Sequence, residues 1–263
     1  MIIDFHTHIY PEKIAAKGVQ YIGDFYNFDL DTTRGTKAHL DRSCKAAGVD
    51  KVVLLSVSLR PDQVSSINNF LSSCLDADHF GFGAIHPDMD DPIAELARFP
   101  ALGITGVKIH PDMQRFDVDD PRMFPIYRYI EGKMPIMIHA GDDRYEYSAP
   151  KKIAHVLQLF PRLTVIAAHL GGWQRWEEAM QYLAGKDVYF DTSSAIGFMS
   201  KADARRYILA HRSDRLLFGT DYPVVEQCEE LKTLHALDLP EELLEKILWK
   251  NAAALLGINT NES

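Results

Sequence analysis

The chain opens with a mostly apolar run that ends in His6-Thr7-His8. Side chains alternate along a strand, so the two rings are expected on one face. Neutral imidazole nitrogen is a favoured donor for zinc and its neighbours, and the pair makes half of a metal site. Further polar residues close later apolar runs: Lys108 and His110, His139, His169, and Asp221. A divalent ion held by three or four N and O donors, with one position open, lowers the pKa of bound water to about 7. A carboxylate such as Asp221 can take that proton and pass it to a leaving group. His169 can stabilise an oxyanion or relay protons, because imidazole titrates near neutral pH.

These residues are scattered from one end of the chain to the other, so the fold must gather them. Apolar runs at 51–57, 80–85, 106–110, 135–139, 163–169, 188–191 and 216–221 follow the first strand, with helical stretches between them. Their unbroken β-branched and aliphatic character fits parallel strands covered on both faces. His110, His139, His169, Asp191 and Asp221 are separated by 29, 30, 22 and 30 residues. That regularity, with eight strands, predicts a single-domain α/β protein over residues 1–263, a TIM (β/α)8 barrel. In such a barrel the C-terminal strand ends meet at one face, so His6, His8, Lys108, His110, His139, His169 and Asp221 are expected in one mouth. Six of those seven can ligate a divalent metal. Residues 10–35 lack a helical or strand period and are rich in aromatics, which predicts a loop over the site. No Gly-x-Gly-x-x-Gly follows the first strand, against a dinucleotide-binding open sheet.

The chain has 263 residues, 46% hydrophobic, with 28 basic against 37 acidic side chains and a formal charge of −9. An acidic balance argues against nucleic acid and anionic membranes as partners. No apolar run approaches the roughly 20 residues that span a bilayer. Three widely spaced cysteines and the absence of a basic leader predict a reduced, cytoplasmic protein.

At this point the chain resembles the amidohydrolase superfamily of metal-dependent TIM-barrel hydrolases, and within it the branch of aminocarboxymuconate-semialdehyde decarboxylase. The matching stretches are His6-Thr-His8, Gly106-Val-Lys-Ile-His-Pro111, Ile138-His-Ala-Gly141, Ala168-His-Leu-Gly-Gly172, Tyr189-Phe-Asp-Thr-Ser193 and Phe218-Gly-Thr-Asp-Tyr-Pro223. The resemblance implies that His6, His8, His139 and Asp221 hold one metal, with His169 beside the bound water as a catalytic acid, base or polarising group together with Asp221. Zinc is the expected ion and manganese the alternative. Binuclear members of the superfamily carry a carbamylated lysine on strand four, which would make Lys108 the bridge to a second metal. Lys108 is alternatively an ion-pair partner of Asp221 or a cation for a substrate carboxylate.

Around the mouth, His110, Arg144 and Trp173 are candidate substrate contacts, with Arg115 nearby; arginine suits a carboxylate and aromatics suit a flat ring. Asp191, with Thr192 or Ser193, is a candidate for orienting a histidine. The expected substrate is a small organic acid and the expected reaction metal-dependent hydrolysis, with non-oxidative decarboxylation as the alternative. Further alternatives are a TatD-like nuclease, a histidinol-phosphatase-like phosphoesterase and a barrel that binds without catalysing. A homodimer is expected by analogy.

Overall fold

Apolar runs buried on both faces become eight parallel strands in the computed structural model, which describes residues 1–259. They are β1 (Ile3–Thr7), β2 (Lys51–Leu55), β3 (His79–Ala84), β4 (Gly106–Ile109), β5 (Ile136–Ile138), β6 (Val165–Ala167), β7 (Tyr189–Asp191) and β8 (Leu216–Leu217), paired in that order. The last strand returns to the first. Phe5 N donates to Phe218 O at 2.8 Å, Asp221 N to His6 O at 2.8 Å and His8 N to Tyr222 O at 2.7 Å. The eight-stranded TIM barrel expected from the spacing is the fold observed. Strand β8 is shorter than the predicted 216–221 because the chain beyond Leu217 bonds across to β1.

The helices are α1 (Ala15–Tyr26), α2 (Lys37–Ala47), α3 (Val64–Cys74), α4 (Pro92–Arg98), α5 (Pro111–Gln114), α6 (Phe124–Ile130), α7 (Pro150–Leu159), α8 (Trp176–Tyr182), α9 (Lys201–Ala210), α10 (Gln227–His235), α11 (Glu241–Glu245) and α12 (Asn251–Leu256). Helices α1 to α9 lie in the connections between strands, and α10 to α12 follow β8. Thr36 accepts from His39 N at the start of α2 and Gly48 closes the helix in the left-handed conformation. Inside the barrel, Phe5 meets Phe82 edge-on at 5.6 Å, within a cluster that includes Val53, Met137, Ile166 and Leu217. No helix among the described residues is long and apolar enough to cross a membrane.

Two features depart from the sequence-based expectations. Residues 10–35 are not a loop throughout: Ala15–Tyr26 is helical and buries Ala15, Val19 and Gly23, spaced four apart, on one face. Glycines at 18 and 23 hide the period, yet both fill tight contacts. A Cβ at Gly23 would lie 2.7 Å from the Phe28 carbonyl oxygen, and one at Gly18 would lie 2.9 Å from the Tyr10 ring. The second departure is in β1, where Asp4 pairs with Val52 but Thr7 pairs with Leu54. One extra residue in β1 makes a bulge, which re-aims side chains as bulges beside active sites do. Simple alternation would put Phe5 opposite His6 and His8; with the bulge, Phe5 packs in the barrel while both histidines reach the mouth.

Candidate metal and substrate site

The ends of β1 and β8 supply the tightest group of donors. His6 Nε2 lies 3.2 Å from His8 Nε2, and Asp221 Oδ1 lies 3.2 Å from His6 Nε2 and 3.3 Å from His8 Nε2. The outward ring nitrogens both face acceptors: His6 Nδ1 donates to Asp191 Oδ2 at 2.9 Å and His8 Nδ1 to the Leu55 carbonyl at 2.9 Å. Those bonds hold the ring protons on Nδ1 and leave both Nε2 lone pairs pointing inward with the carboxylate. Three lone-pair atoms converging in this way repel one another unless a cation sits among them. The donor set therefore fits a divalent ion, and its imidazole-rich composition suits zinc and its transition-metal neighbours.

Burial prepares these groups for that role. It holds the imidazoles of His6, His110 and His139 well below their usual pKa; the Lys108 charge adds to this at His6 and His110, and His110 adds to it at His139. Neutral rings are the ligating form. Burial works to raise the Asp221 carboxyl, but His6, His8 and His169 outweigh it and hold the group ionised. Asp221 and His169 both have positive φ, at 63° and 59°. Non-glycine residues in that region cost roughly 1–2 kcal/mol, which the surrounding structure must hold in place. Beside them Gly219 leaves no room for a side chain: a Cβ there would lie 2.9 Å from His6 Cβ.

The ends of β5 and β6 form the next layer. His169 Nδ1 donates to the Ser193 carbonyl at 2.8 Å, so its Nε2 lone pair faces His139 Nδ1 at 3.0 Å. His139 Nε2 donates to the Gly141 carbonyl at 2.9 Å. The predicted ligands thus separate in part. Donor atoms of His6, His8 and Asp221 lie within 4.8 Å of one another, while His139 groups with His110 and Asp112 and meets the first three by way of His169. Asp191 occupies the orienting place expected of it, taking His6 Nδ1 on one oxygen and the His169 and Ser193 backbone amides on the other.

Lys108 is buried with Nζ 3.4 Å from His6 Nε2. No carboxylate lies within 4.0 Å of it among the described residues, so the direct ion pair with Asp221 is not formed. Burial lowers its pKa to about 8, against the pull of Asp191 and Asp221. His110 lines the same cavity; its Nδ1 accepts from Met113 N, which makes Nε2 the protonated nitrogen. Arg144 does not line the cavity. Its Nε and Nη2 donate to Asp142 at 2.9 and 2.7 Å and its Nη1 to the Phe25 carbonyl, with the guanidinium 4.7 Å from the Phe25 ring centre. It clamps α1 to the loop after β5. Trp173 packs edge-on against Tyr26 at 5.0 Å and borders a small adjoining pocket with Ser194 and Asp221. Arg115 is exposed.

Sequence reasoning passed over Tyr26, Asp112 and Ser194. The Tyr26 hydroxyl accepts from His110 Nε2 at 2.8 Å and lies 3.3 Å from His139 Nε2. Both neighbouring nitrogens are donors, so the hydroxyl proton is free to point into the cavity it lines. The aromatic run Phe25-Tyr26-Asn27-Phe28 was the available signal. Asp112 bonds Ser148 through Oδ2 and leaves Oδ1 buried without a partner; burial pushes its carboxyl up to about 7. Ser194 Oγ donates to Asp221 Oδ2 at 2.8 Å, which aims the other oxygen at the histidines.

The family model described as Amidohydrolase matches residues 3–258. The 5-carboxyvanillate decarboxylase of Sphingomonas paucimobilis is similar in structure, with a TM-score of 0.75 and 16% identity over 98% of this chain and 99% of that one. A dihydroxybenzoic acid decarboxylase from Polaromonas, solved with bound manganese and 2-nitroresorcinol, has a TM-score of 0.73 and 17% identity over 98% and 97% of the two chains. A candidate 2-pyrone-4,6-dicarboxylic acid hydrolase from Pseudomonas putida has a TM-score of 0.71 and 20% identity over 97% of each chain. At these identities the likeness establishes the shared barrel.

Proposed function

Since this chain belongs to the amidohydrolase family, metal-dependent hydrolases and decarboxylases built on one barrel, we propose that it decarboxylates a small aromatic carboxylic acid without an oxidant. The observation that carries this reading is the pairing of two positive sites. Lys108, the one ammonium on the floor of the cavity, approaches a ligand of the proposed metal, His6, at 3.4 Å. A carboxylate placed there meets both charges.

We assign the metal to His6, His8 and Asp221, with His139 as the fourth ligand, and zinc as the ion on the strength of the imidazoles; manganese is the competing assignment. When bound, a divalent ion supplies positive charge for a carboxylate and lowers the pKa of water. The protein's own residues do the rest. Lys108 orients the carboxylate, and the aromatic and aliphatic walls exclude water from the ring. In decarboxylation the bond between ring carbon and carboxyl carbon breaks, its electron pair stays on the ring carbon and CO2 departs. A proton must reach that carbon: His169, whose Nδ1 proton is fixed on the Ser193 carbonyl, takes one from solvent on its free Nε2 and delivers it there. Asp221, held ionised, would be one of the groups holding the metal, and in the hydrolytic reading it would take the proton from water.

Hydrolysis by metal-activated water is the second reading, favoured by the likeness to the candidate Pseudomonas putida hydrolase. Incubating metal-loaded protein with a panel of hydroxybenzoic acids, lactones and amides separates the two. Stoichiometric CO2 with the decarboxylated arene is the expected result. Ring opening or amide cleavage with no CO2 would replace decarboxylation with hydrolysis.

A further inference from the structure

The cavity over the histidine floor encloses about 540 Å³, within the range of roughly 300–1,000 Å³ that holds ligands of drug-like size. It has two chemically different halves. All of its charged or metal-ligating side chains sit on the floor. The walls rise on one side from α1 and the segment before it, with Ile14, Tyr21 and Ile22, and on the other from the β2–α3 region, with Leu59, Ile67 and Phe70. Besides the hydroxyls of Tyr10, Tyr21 and Tyr26, the polar interruptions are Ser56, Gln63 and Ser66, none of them a cation. Among the described lining residues Lys108 is the one lysine or arginine. Of the guanidinium groups near the cavity walls, Arg144 is committed to Asp142 and the Phe25 carbonyl, and Arg60, next to Leu59 in the chain, to Asp62. The apolar character continues to the mouth, where Ile14, Tyr21 and Leu59 are 50%, 46% and 37% exposed.

Resting on the reading of the floor as a carboxylate seat, we propose that the upper chamber is an apolar subsite. Its ligand is a monocarboxylate whose uncharged body extends from the floor to Ile14, Tyr21 and Leu59, past the reach of a single ring. A second carboxylate on that body is rejected. The charged group would lose its hydration among aliphatic walls with no cation to replace it, and specificity of this kind comes from the unpaired charge rather than from shape. An apolar body, by contrast, gains affinity with every methylene that leaves water.

Titration calorimetry on metal-loaded protein with hexanoate, octanoate, decanoate and octanedioate tests this. These saturated acids are not substrates for decarboxylation, so the result does not depend on which reaction the enzyme performs. Affinity is expected to rise by about fourfold per methylene at most, and octanedioate to bind at least about tenfold more weakly than octanoate. A flat series, no binding of octanoate, or equal binding of octanedioate would overturn the proposal. Ile22→Lys and, on the opposite wall, Leu59→Lys are each expected to close the gap between octanedioate and octanoate. If either variant folds poorly the other still decides, and an unchanged ratio in a folded variant counts against the subsite. The seat is read separately: unchanged affinity for every acid in metal-free protein would refute the floor assignment, and an unchanged rise per methylene would leave the apolar chamber standing.

Discussion

Asp191 Oδ2 accepts a hydrogen bond from His6 Nδ1 at 2.9 Å, with neither side chain more than 1% exposed. A carboxylate behind a ligating histidine sets the ring's tautomer and raises its basicity, and removing such partners weakens metal binding by about 10–100-fold. Asp191→Asn keeps the volume but puts an amide donor within reach of the His6 and Ser193 donors. Competition with a metal-sensitive chelator is expected to show a loss within that range. Unchanged affinity would mean that Asp191 serves only the His169 and Ser193 amides.

Elemental analysis of protein purified without chelators is expected to find about one equivalent of zinc or manganese, one ion being what a single four-donor site holds. Asp221→Ala removes the atom that touches both His6 and His8, and should empty the site. His139→Ala is the sharper variant, because His139 reaches the other three by way of His169. Its expected outcome is loss of most of the metal. Full retention would restrict the ligands to His6, His8 and Asp221 and leave His139 a partner of His169.

The strand ends were legible because buried parallel strands advertise themselves: they are apolar runs, and six of the eight stop at a histidine or aspartate that has no reason to be there for packing. His6, His8, Lys108, His139, His169 and Asp221 could be placed in one mouth by counting. What could not be read was anything set by a neighbour distant in sequence. The bulge in β1 depends on its pairing with β2, where Asp4 and Thr7 face Val52 and Leu54. Arg144 looks like a substrate contact until Asp142 and the Phe25 carbonyl claim it. Helix α1 was hidden by glycines whose purpose is contact with Tyr10 and Phe28.

Tyr26 comes from that hidden helix, and its hydroxyl proton has no acceptor among the described residues once His110 Nε2 and His139 Nε2 both donate. Tyr26→Phe should leave the fold intact and lower kcat/KM by about fivefold, the equivalent of one neutral hydrogen bond of ~1 kcal/mol. An unaffected variant would show that the hydroxyl only supports His110.

Lys108 illustrates function held at the expense of stability. Its pKa is lowered from 10.5 to about 8 by burial, so the unfolded chain binds the extra proton between those values. The resulting destabilisation is complete below pH 8 and fades as pH rises toward 10.5; its scale is about 3 kcal/mol. In metal-free protein Lys108→Met is therefore expected to melt higher than wild type at pH 7, with the gap closing by pH 10. The same variant should lose about 10–100-fold in kcat/KM, as expected when a charged contact to a carboxylate disappears. Equal melting temperatures at pH 7 would mean that water reaches the ammonium.

Gly23 tests whether α1 positions Tyr26 or merely covers it. Alanine in place of glycine inside a helix normally stabilises by about 1 kcal/mol. Here a Cβ would lie 2.7 Å from the Phe28 carbonyl oxygen, a backbone atom that cannot rotate away. The Gly23 carbonyl also accepts from the amides of Asn27 and Phe28, and Asn27 closes the helix in the left-handed conformation, so the clash falls on the turn that ends α1. Relief requires the helix end to shift, and Tyr26 shifts with it. Gly23→Ala is thus expected to raise KM severalfold, with a smaller effect on kcat and no gain in melting temperature. If the variant melts higher and keeps wild-type kinetics, the helix end has room to adjust, and the place of the Tyr26 hydroxyl is set by His110 rather than by α1.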